Sequence, residues 1–282
     1  MKGFIIYPSY RVVRDKAYIF LYGRLENNET FVTINEFKHY FYIKEEDLEK
    51  AKGLYSLEFE KTSLKNQLEE NVTKIIVPIP SDLPKLRKLF ENSSIICYEA
   101  DIQFTQRFLI DNGIQGSLEI KGEYEGEAMV DRVYRDPELS PSNHTPKLKT
   151  LSIDIETDPK ASEIYSISLY TDDFKKVLIR SDKKLKNAIS YKDEEDLLHG
   201  FMDHLSKIDP DIITGWHLID FDLKVILERL KEYDIPPHMG RDNSNCKLRI
   251  ESSFFRESKA DFPGRQVLDG IAILKNSFVK LP

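Results

Sequence analysis

The chain has 282 residues, 40% hydrophobic and 32% charged, with 12 Gly and 13 Pro, which predicts about two domains and excludes disordered, collagenous and low-complexity classes. Its two cysteines, Cys97 and Cys246, form no Cys-x-x-Cys pair, so neither a zinc ribbon nor a disulfide framework is expected, and a reducing, cytoplasmic compartment is. The net charge is −7 and neither half of the chain is basic, so bulk charge does not support a passive nucleic-acid coat; nucleic acid would be handled through a local groove or a metal site.

The opening MKGFIIYPSYRVVRDK has too short an apolar run for a signal peptide, and no stretch approaches the roughly 20 apolar residues of a membrane span. A soluble, intracellular protein is expected. Short β-rich runs follow at Phe4–Tyr7, Ala17–Leu25, Phe31–Phe37 and Tyr40–Ile43. Acidic residues at its start favour a helix over Glu45–Leu54. Val72–Pro78 reads as a strand. Ser81–Phe90 reads as a helix capped by Ser81, with Leu83, Leu86, Leu89 and Phe90 on one side. Ser94–Tyr98 is a further predicted strand, and Phe104–Asp111 a helix stopped by Asn112-Gly113. This tight strand–helix–strand–helix order implies a small α/β unit of RNA-recognition type beside the early strands.

Residues 138–149, ELSPSNHTPKLK, lack apolar periodicity and read as a linker. It divides the chain into an N-terminal domain, 1–146, and a second domain, 147–282. In the second, strands are predicted at Thr150–Glu156, Glu163–Tyr170 and Lys176–Arg180, with links short enough for an antiparallel meander. Asp193–Ile208 carries Leu197, Leu198, Phe201, Met202, Leu205 and Ile208 at helical spacing. A strand at Asp211–Thr214, parallel to the first and broken by Gly215, and a helix at Phe221–Leu230 complete the pattern. The fold class expected is α+β or α/β: a β-rich first domain, then a mixed sheet of ribonuclease-H type.

Asp154 and Glu156 stand two apart on a strand and share a face, while Ile153 and Ile155 point the other way. At about 7 Å and an effective dielectric near 20, two such charges repel by roughly 2.5 kcal/mol. A hard cation such as Mg²⁺ or Mn²⁺ relieves that repulsion; so does solvent on the polar face of an ordinary half-exposed strand. Asp222, where a helix follows the strand DIIT, lies near the carboxyl end of the neighbouring strand in a parallel pair. It reads equally as an acid that complements the helix dipole, a role open to Asp220 as well. The six histidines form no His-Glu-x-x-His pattern, and no phosphate loop or nucleophile elbow occurs.

LSIDIET (151–157) and DPDIITGWHLIDFDL (209–223) together resemble the first and second exonuclease motifs of family B DNA polymerases. GRDNS (240–244) and VLDGIAILKNSF (267–278) resemble the bacterial polymerase II branch of that family, and YEADIQFTQRFLIDNGI (98–114) resembles the close of its N-terminal domain. The resemblance implies a proofreading 3′→5′ exonuclease with a two-metal Mg²⁺ or Mn²⁺ site acting on the single-stranded 3′ end of a DNA primer. Asp154, Glu156 and Asp222 would be its catalytic metal ligands. Thr157 would dock the terminal nucleotide and Phe221 would wall that pocket. His217 stands where the family usually has Asn, at a position expected to face the strand. The third motif, Tyr followed four positions later by Asp, does not occur, and palm, fingers and thumb are missing. The resemblance therefore implies the N-terminal fragment of a longer polymerase, a monomer partnered by the rest of that chain and weak by itself. Lys247–Asp269, strand-like at Lys247–Glu251 and Gln266–Asp269, would be the family's β-hairpin or an ordinary surface hairpin, and Asp269 is expected to be structural. Two rival functions stay open: a non-catalytic module gripping single strands, and a nuclease acting on RNA.

Overall fold

The structure, a computed structural model, describes residues 1–56, 58–251 and 256–277. Antiparallel pairing joins β1 (Lys2–Val13), β2 (Lys16–Leu25) and β3 (Thr30–Glu36). The chain then forms β4 (His39–Lys44), α1 (Leu48–Leu54), β5 (Glu58–Lys65), β6 (Asn71–Val77) and α2 (Leu83–Asn92). After α3 (Phe104–Asp111) come β7 (Ser117–Lys121), β8 (Tyr124–Glu127), β9 (Val130–Arg135) and β10 (Glu138–Pro141). These make a seven-stranded sheet, β10-β7-β1-β2-β3-β9-β8, and a separate three-stranded sheet, β4-β6-β5. Ile19, Leu21, Phe31 and Leu118 pack under Phe104 and Phe108 of α3. Phe41, Ile43 and Ile75 pack under Leu48, Leu86 and Phe90 of the two small helices.

Several expectations change here. Residues 94–98 are not a strand: only an isolated bridge links Tyr98 to Tyr42, so the small sheet takes its third strand from β5. Ser81 does not cap a helix. It lies inside a 3₁₀ turn, Pro80–Asp82, that leads into α2 without a side-chain cap, because Pro80 at the first position sets the turn early. Leu89 turns outward, 37% exposed. The first four residues of the expected linker pair with β7 as an edge strand, so the irregular connection is confined to residues 142–149.

The second half forms β11 (Thr150–Thr157), β12 (Ile164–Tyr170), β13 (Lys175–Arg180), β14 (Ala188–Tyr191), α4 (Glu194–Ile208) and β15 (Ile212–Gly215). A π turn, Leu218–Asp222, leads into α5 (Leu223–Glu232). β16 (Lys247–Arg249), β17 (Lys259–Asp261), β18 (Gln266–Asp269) and α6 (Gly270–Asn276) follow. The sheet order is β14-β13-β12-β11-β15-β18. β11, β12 and β13 are the expected antiparallel meander, and β15 lies parallel to β11. The short β14 extends the sheet parallel to β13. Gln266–Asp269 is not part of a hairpin: it joins the main sheet parallel to β15. The hairpin is instead β16 with β17; residues 252–255 of the expected hairpin segment lie outside the described residues, as does Phe278. Leu197, Phe201 and Leu205 of α4 and Ile226 and Leu230 of α5 cover one face of the sheet, burying Leu151, Ile153 and Ile155 of β11. The opposite face of β11 keeps Asp154 and Glu156 exposed.

A buried ionic cluster ties the two large sheets together. Arg24 of β2 donates from Nε to Asp211 Oδ2 at 2.7 Å, which also takes the Lys149 amide at 2.8 Å. Arg241 donates to Asp211 Oδ1 at 2.7 Å and to Asp209 Oδ1 at 2.9 Å, and Arg265 reaches Asp209 Oδ1 at 2.7 Å. Burial lowers the Arg241 guanidinium pKa, but Asp209 and Asp211 outweigh it and hold the value above the ordinary arginine range. Gly264, at φ +80, lies so close that a Cβ there would stand 2.7 Å from the Arg241 Cβ. Neither an L side chain's backbone preference nor its volume fits that position.

Glu194 holds the start of α4 against β12 and α5. Its carboxylate accepts from the Ile164 amide at 2.8 Å, from Arg229 Nε and Nη2 at 2.9 and 2.8 Å, and from the Tyr233 hydroxyl at 3.0 Å. Burial alone would raise its pKa, yet the Arg229, Ile164 and Tyr233 hydrogen bonds prevail and lower it. A lowered folded pKa gives stability that is present above the unfolded value and lost as pH falls through the folded one. Glu194→Gln is therefore expected to cost about 2 kcal/mol at neutral pH, with the deficit shrinking below about pH 4. Urea denaturation at pH 7 and pH 3 checks this; equal deficits at both would contradict it.

Candidate active site

β11 alternates buried Leu151, Ile153 and Ile155 with exposed Asp154 and Glu156, so the two carboxylates project from one face. Asp154 pairs with Ser168 and Glu156 with Ser166 on β12, a small-residue floor beside the acids. On the other side, the ladder to β15 covers only Thr150–Ser152 against Ile212–Thr214. Gly215 then comes so near β11 that a Cβ would lie 2.5 Å from the Ile153 carbonyl oxygen. Beyond that approach the strand amides have lost their partner strand.

Asp222 supplies the missing acceptor. It is not in the first turn of a helix, as expected, but at the last position of the π turn, preceding α5 without a side-chain cap bond to it. Such turns widen the backbone by a residue and recur at functional sites. Its Oδ1 accepts from the Ile155 amide at 3.0 Å, from the residue between Asp154 and Glu156. The side chain is 2% exposed. Burial pushes its carboxyl up to about 6 and the Asp154 charge adds to this, against the Ile155 amide and His217, which favour the anion.

His217 opens the turn in left-handed backbone, φ 61. His, like Asn, is among the few residues that occupy that region with any frequency, which is a backbone reason for His217 at this position. Trp216 beside it is 63% exposed and Phe221 is 37% exposed. The Thr157 hydroxyl, at the end of β11, donates to the Asp158 carbonyl at 2.8 Å. The Asp220 carboxylate accepts from the Ser258 hydroxyl next to β17, so Asp220 serves the hairpin and leaves Asp222 facing the strand. Asp269 caps α6.

Among the described residues no salt bridge involves Asp154, Glu156 or Asp222, and no group of three or more His, Cys, Asp or Glu is gathered closely enough to hold a metal ion. The donor chemistry nonetheless fits a hard divalent cation: three carboxylates without a protein cation, one of them buried at an energetic cost that such an ion removes. Sequence reasoning located the acids by alternation and by position after a strand. It missed the amide that seats Asp222 and the close approach at Gly215, which carry no local signal.

A mixed sheet with an antiparallel meander, a parallel fourth strand and acids at its centre defines the fold of a ribonuclease-H-like exonuclease domain. Residues 95–281 match the profile described as "DNA polymerase family B, exonuclease domain", and the chain belongs to that family. It is similar to DNA polymerase II of Escherichia coli (strain K12), 24% identical over 291 residues that cover 98% of this chain and 36% of that protein. A DNA polymerase of Methanocaldococcus jannaschii is 28% identical over 292 residues, covering 94% of this chain and 16% of that one. The solved family B DNA polymerase of Pyrobaculum calidifontis shares the fold, with a TM-score of 0.78 at 21% identity over 98% of this chain and 37% of that one. The chain thus spans about a third of the length of the bacterial relative. No helix among the described residues is long and apolar enough to cross a membrane.

Proposed function

We propose that this chain is the N-terminal and proofreading part of a polymerase II-like enzyme, with domains at 1–146 and 147–282, and that it hydrolyses the terminal phosphodiester of a single-stranded DNA 3′ end. The observation that carries this reading is the Asp222 carboxylate seated on the Ile155 amide, between Asp154 and Glu156. Asp154, Glu156 and Asp222 would hold Mg²⁺ or Mn²⁺, in the two-metal arrangement of such sites, which supplies an activated water and charge stabilisation at the cleaved phosphate. The chain's own residues supply the rest. Asp222 is fixed by a backbone amide and so cannot swing away, while Asp154 and Glu156 remain exposed to an incoming strand. Phe221 offers a half-exposed aromatic face for a terminal base. His217 can donate a hydrogen bond to the strand, and Thr157 borders the acids at the end of β11.

Incubation of the 282-residue chain with a 5′-labelled single-stranded oligonucleotide and Mg²⁺ or Mn²⁺ tests the reading. Slow shortening from the 3′ end is expected, and Asp154→Ala with Glu156→Ala should reduce it at least ~100-fold. Undiminished shortening by the double variant would reject it. The ungathered acids favour one rival, a module that only grips single strands. Tight, salt-sensitive binding in EDTA with no cleavage under any metal would select that rival.

A further inference from the structure

We propose that Asp269 is a positioning residue for Asp222. It ends β18, is 7% exposed, and spends its two oxygens on different elements. Oδ1 takes the Ile271 and Ala272 amides at 2.9 and 3.2 Å, an ordinary helix cap for α6. Oδ2 takes the Ile219 amide at 3.0 Å, fifty residues back in the chain. Ile219 is the second residue of the π turn that finishes on Asp222.

The parallel ladder makes this sharing possible, because Gly215 and Asp269 are register partners at the ends of β15 and β18. Both strands stop side by side, and both following turns begin with amides that have no partner within their own turn. One carboxylate closes both. The cap on α6 needs a single oxygen, so the bond to Ile219 has no part in capping that helix. Its consequence is at the site: the segment His217–Asp222 is held at its start by Asp269 and at its end by the Asp222–Ile155 bond. Without Asp269 the Ile219 amide, in a residue only 6% exposed, has no acceptor, and the turn shifts to find one. Asp222 moves with it.

The metal arm of the test rests on the function proposed above; the geometric arm does not. Amide hydrogen exchange is measured on the 282-residue chain, its Asp269→Ala and Asp269→Asn variants, and an Asp193→Ala control. Asp193 caps α4 through the Asp196 amide at 2.9 Å and is remote from the turn in sequence. Asp269→Ala is expected to speed exchange of the Ile155 amide about tenfold or more and to weaken Mn²⁺ binding, followed by calorimetry, roughly 10–100-fold. Asp269→Asn, which keeps one acceptor oxygen, should fall between wild type and Ala, and it carries the test where Ala does not fold. Asp193→Ala should lower the melting temperature while leaving Ile155 exchange and Mn²⁺ affinity in place. Unchanged Ile155 exchange in both Asp269 variants, or the same acceleration in Asp193→Ala, would overturn the proposal. A wild-type chain that takes up no Mn²⁺ would count against the proposed function alone, and Ile155 exchange would still decide the role of Asp269.

Discussion

Asp222→Asn is expected to make the protein more stable while removing the metal-dependent hydrolysis proposed for it. Burial lifts the Asp222 carboxyl from 3.8 to about 6, so ionising it in the folded chain costs about 3 kcal/mol relative to the unfolded chain. Because the folded pKa is the higher one, the penalty is absent below about pH 4, grows between about pH 4 and 6, and is complete above that. Asparagine keeps an oxygen for the Ile155 amide and carries no charge. In metal-free buffer at pH 7.5 the variant should melt roughly 5–10 °C above wild type, and the two should coincide at pH 4. Adding Mn²⁺ should raise the wild-type melting temperature and leave the variant's almost unchanged, since only the former gains a bound ion that the unfolded chain lacks. Differential scanning calorimetry across that pH range decides it. A variant less stable than wild type at pH 7.5 would show that the buried charge is compensated by contacts other than those described.

Arg241→Met should have the opposite sign and at least a comparable size. Asp211 and Arg241 are both fully buried and bonded to each other at 2.7 Å, and Asp209 pairs with Arg241 and Arg265 and, at 3.4 Å, with Arg24. Removing one member of a buried pair typically costs about 3–5 kcal/mol, and here Asp211 would keep Arg24 and the Lys149 amide on its other oxygen. For a chain of this length that corresponds to a fall of about 10 °C in melting temperature. Arg265 moderates this loss: burial, with the neighbouring Arg241 charge adding to it, pushes its pKa down to about 10. Loss of Arg241 relieves that repulsion, so the measured cost should lie toward the lower end of the range. Chemical denaturation gives the number directly, and a loss under about 1 kcal/mol would mean that Arg24 and Arg265 suffice.

The charges of this chain differ in how visible they are along its sequence. Asp154 and Glu156 could be found because strand alternation is a local property: buried Ile153 and Ile155 oblige their neighbours to face outward. α4 was equally legible from apolar residues at helical spacing; the structure starts it one residue later than expected, with Asp193 as its cap. β5 was not, since it is an edge strand with six of its eight residues exposed and four of them charged, and no continuous apolar face to announce it. β14 is four half-buried residues long, too short for periodicity to register.

The assignment of Gln266–Asp269 failed for a different reason. Its composition marks a strand, but whether a strand pairs with its chain neighbour or with β15, some fifty residues earlier, depends on which surface it buries. That choice also sets the function of Asp269, whose second hydrogen bond exists only because β15 and β18 end together.

Alternation and helical spacing by themselves determined a mixed α/β protein with acids on β11 and at the turn after β15, and the resemblance of its motifs implied the family B exonuclease type that the profile match shows. These are properties of short stretches, where a residue's neighbours along the chain decide which way it points. Tertiary structure alone decided that Asp222 is seated by the Ile155 amide, that Asp209 and Asp211 bind three arginines across two sheets, and that Asp269 closes two turns at once. Each joins groups thirty or more residues apart, brought within bonding distance by burial of the apolar faces on either side. Burial also sets their strength, since a carboxylate withdrawn from water must find donors in the fold or lose its charge.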